Sequence, residues 1–102
     1  MTKTIYIKGQ PYKVTKVKTL YTASGATNLK DKSIYIAENE EKEEFFKTLI
    51  HELIHAYLYE CGLVQYSDNE ILVHWLDTHF LPIYNKAFDL YEMFEGVKNN
   101  EW

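Results

Sequence analysis

Two hydrophobic rhythms divide the chain. Up to residue 37 apolar residues tend to alternate with polar ones, the period of a strand whose side chains point to opposite faces. Residues 4–8, carrying Ile5 and Ile7, read as a first strand, and Gly9-Gln10-Pro11 reads as a turn. Residues 12–20 read as the partner strand, with a slip in the alternation at Thr15-Lys16 that predicts a bulge or a strong twist. Ser24-Gly25 opens a second hairpin, in which residues 26–29 and 33–37 flank the turn Lys30-Asp31-Lys32. Ser33-Ile34-Tyr35-Ile36-Ala37 is the most apolar of these segments and is expected at the centre of the sheet.

Beyond Asn39 the rhythm lengthens to that of a helix. Asn39 suits an N-cap, and Glu40, Glu41, Glu43 and Glu44 crowd the first turn, where carboxylates favour the positive end of the helix dipole. Phe45, Leu49, Leu53 and Tyr57 recur at helical spacing and are expected to face the sheet, and Gly62 supplies a stop. After a short loop, Ser67-Asp68-Asn69-Glu70 opens a second helix, carried by Ile71, Val73, Trp75, Leu76 and Phe80. Pro82 is expected to kink or break it, leaving residues 83–95 as a third helical segment. Strands first and helices after predict an α+β fold: a small twisted antiparallel or mixed β-sheet followed by two or three helices.

Length and composition narrow the picture. With 102 residues there is room for one domain, spanning residues 1–102, and 46% hydrophobic content fits a folded chain rather than a disordered one. No run approaches the roughly 20 apolar residues needed to cross a bilayer. Residues 1–8 alternate instead of forming the apolar run of a secretory signal, and the single Cys61 leaves no intramolecular disulfide. These features predict a cytoplasmic protein with no membrane partner. The net charge of -4 is uneven, since seven of the lysines lie in the first 32 residues against one acid, Asp31. Yet the chain has no arginine, the residue that best reads phosphates and guanines, so no nucleic-acid partner is expected. The lysines read as solvated strand faces that discourage edge pairing.

The chemistry concentrates on the first helix. His51-Glu52-Leu53-Ile54-His55 is an HExxH pattern. Four residues apart on a helix, His51 and His55 project from one face and can offer two imidazole nitrogens to one ion. Glu52 lies about 100° further round, which puts its carboxylate beside the ion, placed to take a proton from water activated there. Two nitrogens and one carboxylate suit zinc, because they leave a fourth position open.

A third ligand must come from elsewhere. The pattern that continues with a glycine and a third histidine would need them at positions 58 and 61, which hold Leu58 and Cys61. A deformylase-like pattern needs an aspartate where Ile54 stands. What remains is a glutamate on the following helix, and Asn69-Glu70 supplies it. Glu70 has a competing role, because Ser67-x-x-Glu70 also reads as a capping box. His74, one turn beyond Glu70, is the competing ligand.

HELIHAYLYECGL at residues 51–63 followed by NEILVHW at residues 69–75 resembles the gluzincins, and most closely the minigluzincins and similar small HExxH proteins of phages and mobile elements. The hairpin at residues 25–36 resembles the one before their metal-binding helix, so the likeness covers about residues 20–80. It implies a zinc metallopeptidase in which His51, His55 and Glu70 hold the metal and Glu52 is the general base. It also implies a sheet edge, residues 21–29, that pairs with an extended peptide or protein substrate. The family's aspartate that orients the first histidine falls at position 74, where this chain has His74. His79, Tyr66 and Tyr84 are the candidates for stabilising an oxyanion. The other functional class is a zinc-binding interaction module of a phage or mobile element with little or no turnover. Tyr84, Tyr91, Phe94 and Trp102 are aromatic positions that either pack inside or mark an interface, and oligomeric state is left open.

Overall fold

A computed structural model describes residues 1–18, 24–38 and 41–96. Strand β1 (Thr2–Ile7) turns into β2 (Gln10–Val17) through Lys8 and Gly9, whose φ values of 52° and 83° are both left-handed. Two positive φ values in a two-residue hairpin loop match the right-handed twist of the flanking strands, and Gly9 makes the second one inexpensive. The turn thus precedes Gln10-Pro11, which belong to β2. Pro11 sits opposite Tyr6, ahead of Lys13 where β2 begins to pair with its other neighbour, so its missing N–H is not needed there. The pairing from Thr2 with Thr15 to Ile7 with Gln10 skips no residue, so the expected bulge is absent from it. The slip in alternation has another cause: Thr15 is half-buried, its hydroxyl 2.9 Å from that of Thr2 across the ladder.

The second hairpin joins β3 (Gly25–Asn28) to β4 (Ser33–Ala37). Asn28 Oδ1 accepts from the Asp31 amide at 3.0 Å, and Lys32 takes a left-handed φ of 55° to close the turn. β4 then pairs parallel with β2, giving a four-stranded mixed sheet in the order β1-β2-β4-β3. β3 is an edge, and β4 is central, with Ile34 and Ile36 buried.

Helix α1 (Lys42–Glu60) lies across this sheet. Its Ala56 joins Ile7, Tyr12, Ile34 and Ile36 in the core, and Phe45, Leu49 and Leu53 pack against that cluster. The inward stripe ends in Ala56 rather than Tyr57, which is 47% exposed. Asn39 and Glu40, expected at the helix start, lie outside the described residues; the N-cap is Glu41, with Glu43 and Glu44 in the first turn. The helix stops at Cys61, followed by Gly62 at φ 85°.

A single turn, α2 (Val64–Ser67), reverses the chain into α3 (Glu70–Glu95). Here two expectations are corrected. Ser67 ends α2 and donates to the Val64 carbonyl, while Asn69 caps α3 by accepting from the Leu72 amide at 3.0 Å. Glu70 is therefore the first residue of the helix, and no Ser67–Glu70 capping box forms. Pro82 does not end the helix, which runs unbroken for 26 residues. A proline costs the bond to the carbonyl four residues back, and Thr78 is exposed, where water can take that place. Among the described residues no helix is long and apolar enough to cross a membrane. The architecture is α+β.

A part-buried polar tie links β2 to the end of α1. The Tyr12 hydroxyl donates to Glu60 Oε2 at 2.6 Å, and Lys32 Nζ reaches the same oxygen at 2.5 Å. Lys32, then Tyr12, holds the Glu60 carboxyl below its ordinary value of 4.5, while burial and Glu60 push the Tyr12 phenol up. Tyr12→Phe should cost about 1 kcal/mol at neutral pH, since it leaves a part-buried carboxylate one donor short while Lys32 stays in place. A depressed carboxyl stabilises the fold above pH 4.5 and loses that contribution as pH falls through the lowered folded value. The gap between wild type and Tyr12→Phe in urea unfolding should accordingly shrink in acid.

Candidate metal centre

The middle of α1 faces two neighbours, the edge strand β3 on one side and the first turns of α3 on the other. His51 and His55 stand one turn apart on the α3 side, their ring centroids 5.0 Å apart. α3 runs back past them, so that His55 meets Ser67 and Glu70 while His51 meets Glu70 and Asp77. Glu70 Oε1 lies 3.0 Å from His51 Nε2, and Glu70 Oε2 lies 3.2 Å from His55 Nε2. One ligand atom from each of the three residues falls within 4.8 Å of the others, and the group could hold a metal ion.

Each imidazole is anchored through its far nitrogen. His55 Nδ1 sits 2.5 Å from the Ser67 carbonyl, which can only accept, so Nδ1 carries the proton and Nε2 offers a lone pair to the centre. His51 Nδ1 sits 2.5 Å from Asp77 Oδ2, with the same consequence. Two nitrogen lone pairs and a carboxylate then converge on one point, an arrangement that calls for a proton or a cation. Burial works against a charge on His51, but Asp77, Glu52 and Glu70 outweigh it and raise its pKa. The donor set fits a cation such as zinc, with Glu70, 69% exposed, leaving an open side.

Glu52 points the other way, towards β3. It is 6% exposed, and its Oε1 accepts from Thr27 Oγ1 at 2.6 Å. Gly25 lets the strand come this close: a Cβ there would stand 2.6 Å from Thr48 Cγ2 and 3.0 Å from Glu52 Oε2. Gly25→Ala should therefore push β3 or Glu52 aside and cost about 1–3 kcal/mol, seen as a lowered urea midpoint. A cleft of about 730 Å³ opens over His51, Glu52 and Glu70, walled by Ser24 and Gly25 on one side and His74, Asp77, Leu81 and Pro82 on the other.

No protein-family model matches the chain, and neither a curated protein nor a solved structure matches it. The site's meaning therefore rests on its own geometry.

Sequence reasoning brought forward His51, Glu52, His55 and Glu70, and the fold gathers all four. It missed four supports, one of them the Ser67 carbonyl that holds His55. Asp77 takes the role expected at position 74: its carboxylate holds His51, while the His74 side chain is 77% exposed and only 3.7 Å from Asp77 Oδ1. His74 is thus neither the anchor of His51 nor part of the three-residue cluster. Thr27 and Gly25 carried no signal beyond lying in a hairpin. Cys61 is exposed beyond the end of α1, outside the cluster. Among the described residues that line the cleft, Tyr66, His79 and Tyr84 are absent. His79 instead stacks on Trp75 and bonds its carbonyl. The edge expected at residues 21–29 is described from residue 24, and its strand is Gly25–Asn28.

Proposed function

We propose that this chain is a zinc-dependent endopeptidase of the gluzincin type. The observation that carries the reading is the convergence of two pre-oriented imidazole nitrogens and the Glu70 carboxylate beside a second, buried carboxylate on the same helix. Zinc bound by His51, His55 and Glu70 would supply Lewis acidity, polarising a peptide carbonyl and acidifying water. Glu52, one position round the helix from His51, accepts the proton from the attacking water and passes it to the leaving amine. The Thr27 hydroxyl fixes the Glu52 carboxylate through one oxygen and leaves the other free for that transfer. Asp77 and the Ser67 carbonyl keep both histidines in the ligating tautomer. The substrate lies extended along the edge strand β3, held by backbone hydrogen bonds, and the apolar wall of Leu81, Pro82 and Phe46 receives one of its side chains.

The test is metal analysis of protein purified without a histidine tag, coupled to cleavage of an unbiased peptide library with and without chelator. One zinc per chain and chelator-sensitive cleavage are expected. Zinc at that stoichiometry without cleavage would move the assignment to a metal-binding interaction module, and protein free of metal after zinc incubation would remove the reading altogether.

A further inference from the structure

The distal half of α3 is a helix without a core. The radius of gyration is 16.5 Å, against about 13 Å for a compact chain of about this length, and residues 81–91 of α3 are all exposed. Its sequence is nevertheless apolar at a regular interval. Val73, Leu76, Phe80, Ile83, Ala87, Leu90 and Phe94 follow one another at alternating steps of three and four, the a/d pattern of a coiled-coil seam sustained for three heptads. The opposite face carries Thr78, Asn85 and Glu92. The seam begins as intramolecular packing, since Val73 is buried, and continues into solvent to Phe94, which is 84% exposed.

Area and periodicity together name the occupant. Phe80, Ile83, Leu90 and Phe94, with Tyr84 and Tyr91 beside them, expose surface on the order of 700 Å², most of it apolar. That lies above the roughly 300–600 Å² usual for the largest patch on a monomer, and approaches the roughly 800 Å² that each partner buries in a stable complex. A heptad seam is met by another heptad seam, and the one at hand is that of a second copy. We propose that the chain forms a two-fold symmetric dimer in which the distal half of α3 lies antiparallel against the same segment of its partner.

The antiparallel sense follows from a groove at the seam's proximal end. Ile50, Ile54, Tyr57 and Leu58 of α1, together with Leu76 and Phe80, line an apolar hollow of about 340 Å³. An antiparallel register pairs Leu76 with the partner's Phe94, Phe80 with the partner's Leu90 and Ile83 with the partner's Ala87. Each a position then meets a d position, and the far end of each helix fills the other copy's hollow. Two-fold symmetry makes the contact self-complementary and closed. A parallel pair would leave both hollows empty. The metal cluster stands on the neighbouring stripe of Glu70, His74 and Asp77, so the dimer does not engage its ligands.

The test is sedimentation equilibrium of the full chain over a concentration series, beside Ile83→Glu and Leu90→Glu. These positions are exposed in the single chain, so the variants should keep wild-type helical content by circular dichroism while the mass falls from dimer to monomer. Cysteine cross-linking in a Cys61→Ser background reads the same contact without depending on those variants. Ile83→Cys combined with Ala87→Cys should link the copies under mild oxidation, whereas Ala87→Cys alone, which meets itself only in a parallel pair, should not. A wild-type monomer throughout the series, a dimer that survives either glutamate, or linkage through Ala87→Cys alone overturns the proposal.

Discussion

Glu52→Gln should lower peptide cleavage by about 10²–10⁴-fold while zinc remains at one per chain. The substitution keeps the shape of the side chain and can still accept the Thr27 hydroxyl bond made at 2.6 Å. It removes only the capacity to take and return a proton. The side chain is 6% exposed and wedged between Thr27 and Gly25, so its carboxylate is held in one place. Steady-state rates on a peptide cleaved by the wild type, set beside metal content and thermal midpoint, check this outcome. Unchanged cleavage with full zinc would take the proton-transfer role from Glu52.

Asp77→Asn is expected to weaken zinc binding by about 10–100-fold, and His74→Ala to leave it unchanged. The difference rests on which side chain holds His51. Asp77 Oδ2 is 2.5 Å from His51 Nδ1, and its charge raises the basicity of the ring nitrogen that faces Glu70. Asparagine removes the charge and can present an N–H to the ring, which favours the wrong tautomer. His74 points to solvent and has no such grip. Competition against a chromophoric chelator measures both variants, and equal losses would return the anchoring role to position 74.

The helical half of the site could be read from the sequence because it depends on local periodicity alone. His51 and His55 share a face in any helix, and Glu52 must then lie beside them. Glu70 required one tertiary assumption, that the next helix folds back, and the short α2 turn provides it. Asp77 was out of reach for a geometric reason. Four residues along a helix rotate a side chain about 40° away from the starting direction, whereas seven bring it within about 20°. With Glu70 aimed at the histidines, position 77 aligns better than position 74, but only the crossing of α1 and α3 decides how far along α3 the second contact falls.

Elsewhere local signals competed. Ser67 and Asn69 both suit an N-cap, and α2 took the serine. Pro82 signals a helix end, yet nothing in the exposed second half of α3 penalises a missing bond that water can replace. The strands could be read from their alternation although the first turn falls one residue earlier, at Lys8-Gly9, whereas the parallel pairing of β2 with β4 is non-local and left no mark in either segment.

The two histidines are supported by unlike means, and the contrast bears on how the sequence can drift. Asp77 holds His51 with a side chain, so a single codon can release it. His55 is held by the main-chain carbonyl of residue 67, which every amino acid possesses. Exchange at that position can change the small, buried Ser67 side chain but cannot delete the acceptor. Half of the site's scaffolding is therefore written in the path of the backbone rather than in the alphabet of side chains. Substitution reaches it only by moving the α2 turn itself.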